Sequence, residues 1–244
     1  MYDMTNFTIR EMTSCGKTIR AIGVGASCME EVSGRIVKHF FDNLIDGDGR
    51  RVCSLVRLFK THHYDELDDE RQLIAREILG DIPADHNLRC LVLLGTVGED
   101  SAWNSSKKSK GHQAIPLPSE EAVNQIPMIC NLIKQLGLEV SMVVKSDPKL
   151  ILDMEQKTFN VFHVPEALGS PYIPAQKEFV IPYGIKSVLG FGGLLPSGDI
   201  FTTILFLKIP ISREFAEMFT TLSLNVKIAL LPFDNAVFVP NRCS

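Results

Sequence analysis

The sequence predicts an α/β (α+β) domain built on a central antiparallel sheet of five to six strands. N- and C-terminal helices cover one face of that sheet and long loops cover the other. Three observations carry this expectation. Short, β-branched apolar runs alternate with stretches of helical periodicity. Two apolar runs, Ile185–Leu195 and Ile200–Lys208, are joined by Pro196-Ser197-Gly198-Asp199, the composition of a hairpin turn. After Ser212, a good N-cap, Phe215, Met218, Phe219, Leu222, Val226 and Ala229 fall on one helical face.

In chain order, residues 1–26 show no sustained periodicity and read as an N-terminal segment ahead of a domain over 27–233 and a tail over 234–244. Ser27-Cys28-Met29-Glu30 fits a capping box, and Val32, Ile36, Val37, Phe40, Phe41 and Leu44 follow at helical spacing. Asp46-Gly47-Asp48-Gly49 turns the chain into a strand over Val52–Lys60. Leu67, Leu73, Ile74 and Ile78 mark a second helix, opened by the acidic run 65–70, where negative charge suits the helix dipole. Cys90–Leu94 is the next strand, and Gly98 to Pro118 is a long polar loop. Glu120–Leu136 is helical with a kink at Pro127 and a stop at Gly137. Leu138–Val144 reads as a third strand, Asp147–Gln156 as a short helix and Thr158–Val164 as a fourth strand, before a Pro- and Gly-rich segment from Pro165 to Pro182.

A chain of 244 residues can bury a sizeable core. Its net charge of −4 and lack of a basic stripe argue against a nucleic-acid partner. There is no signal peptide at the N-terminus and no run of about eighteen apolar residues, so the expected location is the cytoplasm, away from the membrane. The six cysteines are scattered without CxxC spacing; Cys53 and Cys90 sit in strand-like runs and read as buried thiols.

Chemical motifs are sparse. Cys15-Gly16-Lys17-Thr18 ends like a phosphate-binding loop, but Glu11 stands where that motif needs glycine. Gly23-Val24-Gly25 lacks the third glycine of a dinucleotide fingerprint, since Cys28 occupies it, and reads as a hinge. No G-x-S-x-G elbow is present. His62, His63, His112 and His163 lie in loops or at strand ends, with no i,i+4 pair on a helix to hold a metal. The expectation is no catalytic constellation, no metal site and no enzyme. The alternative is a small metal- or haem-dependent enzyme, or a haem sensor, using these histidines; a third reading is an interaction scaffold without a pocket. Trp103, the only tryptophan, reads as an anchor for its loop or as a lid over a ligand.

Tyr183-Gly184-Ile185-Lys186-Ser187-Val188-Leu189-Gly190-Phe191-Gly192-Gly193-Leu194-Leu195 resembles the penultimate strand of a GAF domain. Ser197-Gly198-Asp199 resembles its turn, Ile200–Lys208 its last strand, and Ser212 through Leu231 its closing helix. PAS and related sensor folds share the hairpin and helix. The resemblance is to sensory modules of bacterial signalling proteins such as sensor histidine kinases and nucleotide cyclases. The cysteine and Asp-x-x-Pro attachment site of bilin-binding relatives and the signature of cyclic-nucleotide-binding relatives are not identifiable, so neither ligand is carried over.

The resemblance implies a cytoplasmic signal-input domain that binds a small ligand between the sheet and the covering loops. It would transmit through its terminal helices to a partner, such as a histidine kinase or cyclase output domain. Candidate ligand-binding residues are Arg57, His63, Trp103, His112, Phe162, His163 and Tyr183; the ligand or cofactor is left open. A cavity is expected between segments 98–118 and 165–182, with Trp103 or His112 beside His163. The wide apolar stripes of the two terminal helices predict a homodimer through Phe40, Phe41, Phe219 and Val226, unless residues 1–26 or the tail, with Val237 and Phe238, fold back over them.

Overall fold

The structure, a computed structural model, describes residues 1–109, 111–145 and 160–238. A short parallel pair, β1 (Tyr2–Asp3) and β2 (Leu44–Ile45), stands apart from the main sheet. That sheet consists of β3 (Cys53–His63), β4 (Arg89–Gly98), β5 (Ala114–Leu117), β6 (Val161–Val164), β7 (Ser187–Leu194) and β8 (Ile200–Leu207). Its order is β5-β4-β3-β8-β7-β6, and every pairing is antiparallel. The expected hairpin is present in full register, from Ser187 opposite Leu207 to Leu194 opposite Ile200, with β8 at the sheet centre beside β3.

The helices in chain order are α1 (Ile9–Ala21), α2 (Met29–Asn43), α3 (Asp69–Leu79), α4 (Glu120–Asn124), α5 (Pro127–Gln135), α6 (Val140–Val144) and α7 (Arg213–Leu230). One apolar core lies between the sheet and α1, α2 and α7. A second lies on the opposite face, under α4, α5, α6 and the segment around Ile173 to Ile185. The architecture is a six-stranded antiparallel sheet with terminal helices on one side and loops with short helices on the other.

Several elements depart from expectation. Residues 9–21 form a helix, where the sequence shows no sustained period. Thr8 and Glu11 make a reciprocal capping box, with Glu11 N donating to Thr8 Oγ1 at 3.3 Å and Thr8 N to Glu11 Oε2 at 2.8 Å. The buried stripe of α1 is Cys15, Gly16 and Ile19, with small residues at 15 and 16 where α1 lies hard against α7. A Cβ on Gly16 would meet the Asn225 amide at 2.8 Å. The packing thus crosses the expected boundary at residue 26, and the phosphate-loop look-alike lies inside this helix. At α2 the cap is Cys28, not Ser27; Ser27 instead bonds the Glu31 carboxylate. The Met29 and Glu30 N–H groups donate to the Ala236 and Val237 carbonyls, both at 2.9 Å, so the C-terminal segment closes this helix end.

The run at 138–144, expected as a strand, is helical over Val140–Val144. Val140, Val143 and Val144 are buried at i, i+3, i+4 spacing, and Gly137 at φ +81° turns the chain after α5. An apolar run this short reads either way by period alone. Within the polar stretch 98–118, Ala114–Leu117 is a strand containing Pro116. It lies at the sheet edge, where a missing N–H costs no ladder bond. The helix expected at 147–156 falls outside the described residues, as do positions 158 and 159 of the expected fourth strand.

The faces of the apolar stripes expected to meet a second copy pack inside the domain. Phe40, Phe41, Phe219 and Val226 are all buried. Phe219 has ring centroids of Phe7 at 5.5 Å, Phe191 at 5.4 Å and Phe215 at 5.9 Å around it. Residues 1–26 and the segment reaching Phe238 cover what the sequence left open.

The hairpin turn is tied into the sheet by charge. Asp199 sits 2.5 Å from Lys60 Nζ, pairs with Arg89, and accepts from Thr61 Oγ1 at 3.2 Å and Ser197 Oγ at 3.0 Å. Lys60 and Arg89 are 1% and 3% exposed. Burial pushes the Asp199 carboxyl up, but Lys60 and Arg89 outweigh it and hold the group below its ordinary range.

Candidate functional site

Strand alternation sets the floor of the site. Along β3, Val56 and Leu58 point into the helix-side core, while Leu55, Arg57 and Phe59 point to the other face. Ile204 and Phe206 of β8 extend that floor. Above it lies a cavity of about 400 Å³. Its walls are Trp103, His112 and Ile115 on one side, Ile126, Met128, Ile129 and Leu132 on another, and Ile173, Pro174, Ala175, Glu178 and Phe179 on the third. Size and apolar lining match those of small-molecule sites.

Two covering segments meet over the sheet through an aromatic cluster. Trp103 lies 4.4 Å from the Tyr183 ring and 5.4 Å from Phe179, and Phe179 lies 4.9 Å from Phe206. The Tyr183 hydroxyl donates to Asp100 Oδ2 at 2.9 Å. That bond keeps the proton on the phenol, raising its pKa; Asp100 is lowered by the Ala102 N–H and by the same hydroxyl. Ser54 Oγ donates to the Tyr183 carbonyl at 3.2 Å, fixing the second segment to β3. Gly98 makes room for Trp103, since a Cβ there would lie 2.6 Å from the indole. The tryptophan both anchors its loop and lines the cavity.

Arg57 is the unusual member of this lining. It is 9% exposed, its Nε is buried without a hydrogen-bond partner, and no ion pair joins it to any described residue. Burial alone brings its pKa down to about 10. Glu178 stands at the exposed rim and makes no ion pair with it.

Of the seven residues singled out from sequence, Arg57, Trp103 and His112 line the cavity and Tyr183 packs behind Trp103. The other three lie elsewhere. His63 ends β3 in a separate depression with Asp85, Asn87 and Lys145, and its Nε2 meets Arg89 at 3.3 Å. Phe162 is wholly buried against Gly190, filling the core beside the cavity without lining it. His163, one residue on, points to the helix side, where its Nε2 meets the Ile211 carbonyl at 3.1 Å. The expected cavity between segments 98–118 and 165–182 exists, but His163 is outside it. No sequence signal points to the apolar wall from α5.

The histidines do not converge. His62 packs against Phe238 on the helix side, while His63, His112 and His163 occupy three further places. Among the described residues no group of three or more His, Cys, Asp and Glu side chains could hold a metal ion. The thiols of Cys15, Cys28, Cys53, Cys90 and Cys130 are free and buried, and burial pushes Cys15 and Cys90 up to about 12.

Burial lowers the pKa of His39, His62 and His163. Each is therefore neutral when folded, while the unfolded chain takes up protons near the ordinary value of about 6.5. At these three sites the unfolded state binds more protons over this window, against the opposite contribution of exposed His86, whose pKa Asp65 raises, so stability is expected to fall as pH drops from 7 through 6.5 toward the lowered folded values. Urea titrations at pH 7.5 and 5.5 check this; an unchanged midpoint would contradict it.

No family model matches the chain, and no curated protein matches it. Among solved structures it is similar to a phycoerythrobilin-bound GAF domain from a cyanobacterial phytochrome, with TM-score 0.42, 10% identity and coverage of 91% of this chain and 97% of that one. It is also similar to the N-acylhomoserine lactone-dependent LuxR family transcription factor CepR2 from Burkholderia cenocepacia, with TM-score 0.38, 10% identity and coverage of 91% and 96%. A third is the bacteriophytochrome RpBphP3 from the photosynthetic bacterium R. palustris, with TM-score 0.36, 8% identity and coverage of 92% of this chain but 39% of that one. Among the described residues no helix is long and apolar enough to cross a membrane.

Proposed function

We propose that the chain is a sensory, non-enzymatic domain that binds a small molecule in the cavity over β3 and β8 and passes the occupied state to a partner through its helices. The observation that carries this reading is the cavity itself, closed by two segments that touch each other through Trp103, Phe179 and Tyr183. Contacts made only with the closed arrangement would shift the population toward it. The terminal helices, packed on the other side of the same sheet, form the output side. A cytoplasmic bacterial setting with a histidine kinase or cyclase as output follows from the GAF-like resemblance. A homodimer in this reading uses surface outside the buried stripes, such as Leu224 and Ile228, the exposed apolar residues of α7.

The single tryptophan supplies the test. Ligand entering the cavity contacts Trp103, so screening a small-molecule library by tryptophan emission should find compounds that shift the spectrum and raise the melting temperature together. Binders that leave Trp103 emission unchanged, or emission changes unaltered by Leu132→Phe, a variant that adds bulk to the cavity wall, would place binding elsewhere.

A further inference from the structure

We propose that the cavity takes an apolar carboxylic acid, its carboxylate held by the Arg57 guanidinium and its body by the surrounding aliphatic and aromatic wall. This rests on the sensory reading above and names the ligand class for the same cavity.

A buried cation without a partner is costly, and folded proteins keep such a group only where something compensates it. Arg57 is in that position: one tenth exposed, joined to no described residue by a hydrogen bond or ion pair, with its Nε buried and unbonded. Its neighbours on the sheet floor, Leu55, Phe59, Ile204 and Phe206, offer no acceptor side chain. Strand alternation places the guanidinium in the cavity and not in the helix-side core. The planar fork of arginine matches a carboxylate in bidentate geometry, and the low-dielectric surroundings strengthen that pair. The volume of about 400 Å³ corresponds to about a dozen waters at ~30 Å³ each. A medium-chain or bicyclic acid of about that many heavy atoms fits; a dianion does not, since the lining supplies one buried cation.

The exposed rim position of Glu178 adds selectivity. Its carboxylate disfavours an anionic tail at the mouth, so the acid enters head first with its uncharged end outward.

The test compares acids with uncharged amides of the same shape: decanoate against decanamide, and 1-naphthoate against 1-naphthamide, by calorimetry at pH 7. The wild-type protein is expected to prefer each acid at least tenfold, and to gain thermal stability with the acid only. In Arg57→Met the preference falls to about one while the amides still bind. The variant without ligand melts no lower than wild type, because an unpaired buried charge has been removed. Equal binding of acid and amide by the wild-type protein overturns the inference without needing any variant, as does a preference that survives in Arg57→Met. If the amides bind and shift Trp103 emission without any acid preference, the ligand class is wrong and the sensory cavity stands. If no probe binds and a broad library leaves Trp103 unmoved, both readings fall.

Discussion

Asp199→Asn is expected to lower the unfolding free energy by about 3–5 kcal/mol, the cost of stripping one partner from a buried ion pair. Among the described residues the substitution leaves Lys60, 1% exposed, with only the Thr61 carbonyl at 3.4 Å. It also leaves Arg89 and Thr61 facing a neutral amide oxygen in place of Oδ1, and puts an NH2 group, which cannot accept, where Oδ2 met Lys60 and Ser197. Against a typical total of about 5–15 kcal/mol, this is a large fraction. The acid limb of stability should change as well. The folded pKa of Asp199 is lowered, so its contribution is present above the unfolded carboxyl value of about 3.9 and is lost as pH falls through the folded value. In the Asp199→Asn variant that part of the acid dependence disappears. Chemical denaturation at pH 7 and at pH 3 measures both effects; a loss below about 1 kcal/mol at pH 7 would show that the network carries no net stability.

Phe219→Ala is expected to cost about 3–5 kcal/mol, as for a fully buried phenylalanine whose cavity cannot collapse. The ring is held between Phe7, Phe191 and Phe215, which come from three different parts of the chain. Phe219→Leu, which keeps most of the volume, should cost much less. Sedimentation separates this core role from an interface role: the alanine variant should show a lower denaturant midpoint at an unchanged oligomeric state. A shift in mass at unchanged stability would restore the stripe as a contact between copies.

Much of the fold was legible because hydrophobic period and turn chemistry agree locally. The 187–207 hairpin has two apolar runs of matching length, a turn of Pro, Ser, Gly and Asp, and a capped helix after it, so local and tertiary preferences coincide. Where they diverge, the sequence misleads. The α1 stripe has cysteine and glycine beside its one large residue, Ile19, because the α1–α7 approach is close, and small residues carry little hydrophobic signal. Its Thr8-x-x-Glu11 box was nonetheless readable. The strand at 114–117 was hidden by Pro116, which only its edge position permits.

The site was legible in part for a similar reason. Arg57 stands out as a cation flanked by apolar residues in its strand, and Trp103 as a lone aromatic in a polar loop. Phe162 and His163 could not both face the cavity, because neighbours on a strand point to opposite faces. The α5 wall, with Ile126, Met128, Ile129 and Leu132, lies far from Arg57 in sequence. Only the folded chain shows that these residues meet.

The alternation along β3 has a mechanical consequence. Arg57 faces the cavity, while Val56 and Leu58, its immediate neighbours, are packed in the helix-side core. The two chambers are therefore separated by a partition one peptide thick. In the proposed sensory reading, a pull on the guanidinium would be borne by the same stretch of backbone against which α2 packs, over the width of a single strand and with no relay of side chains between.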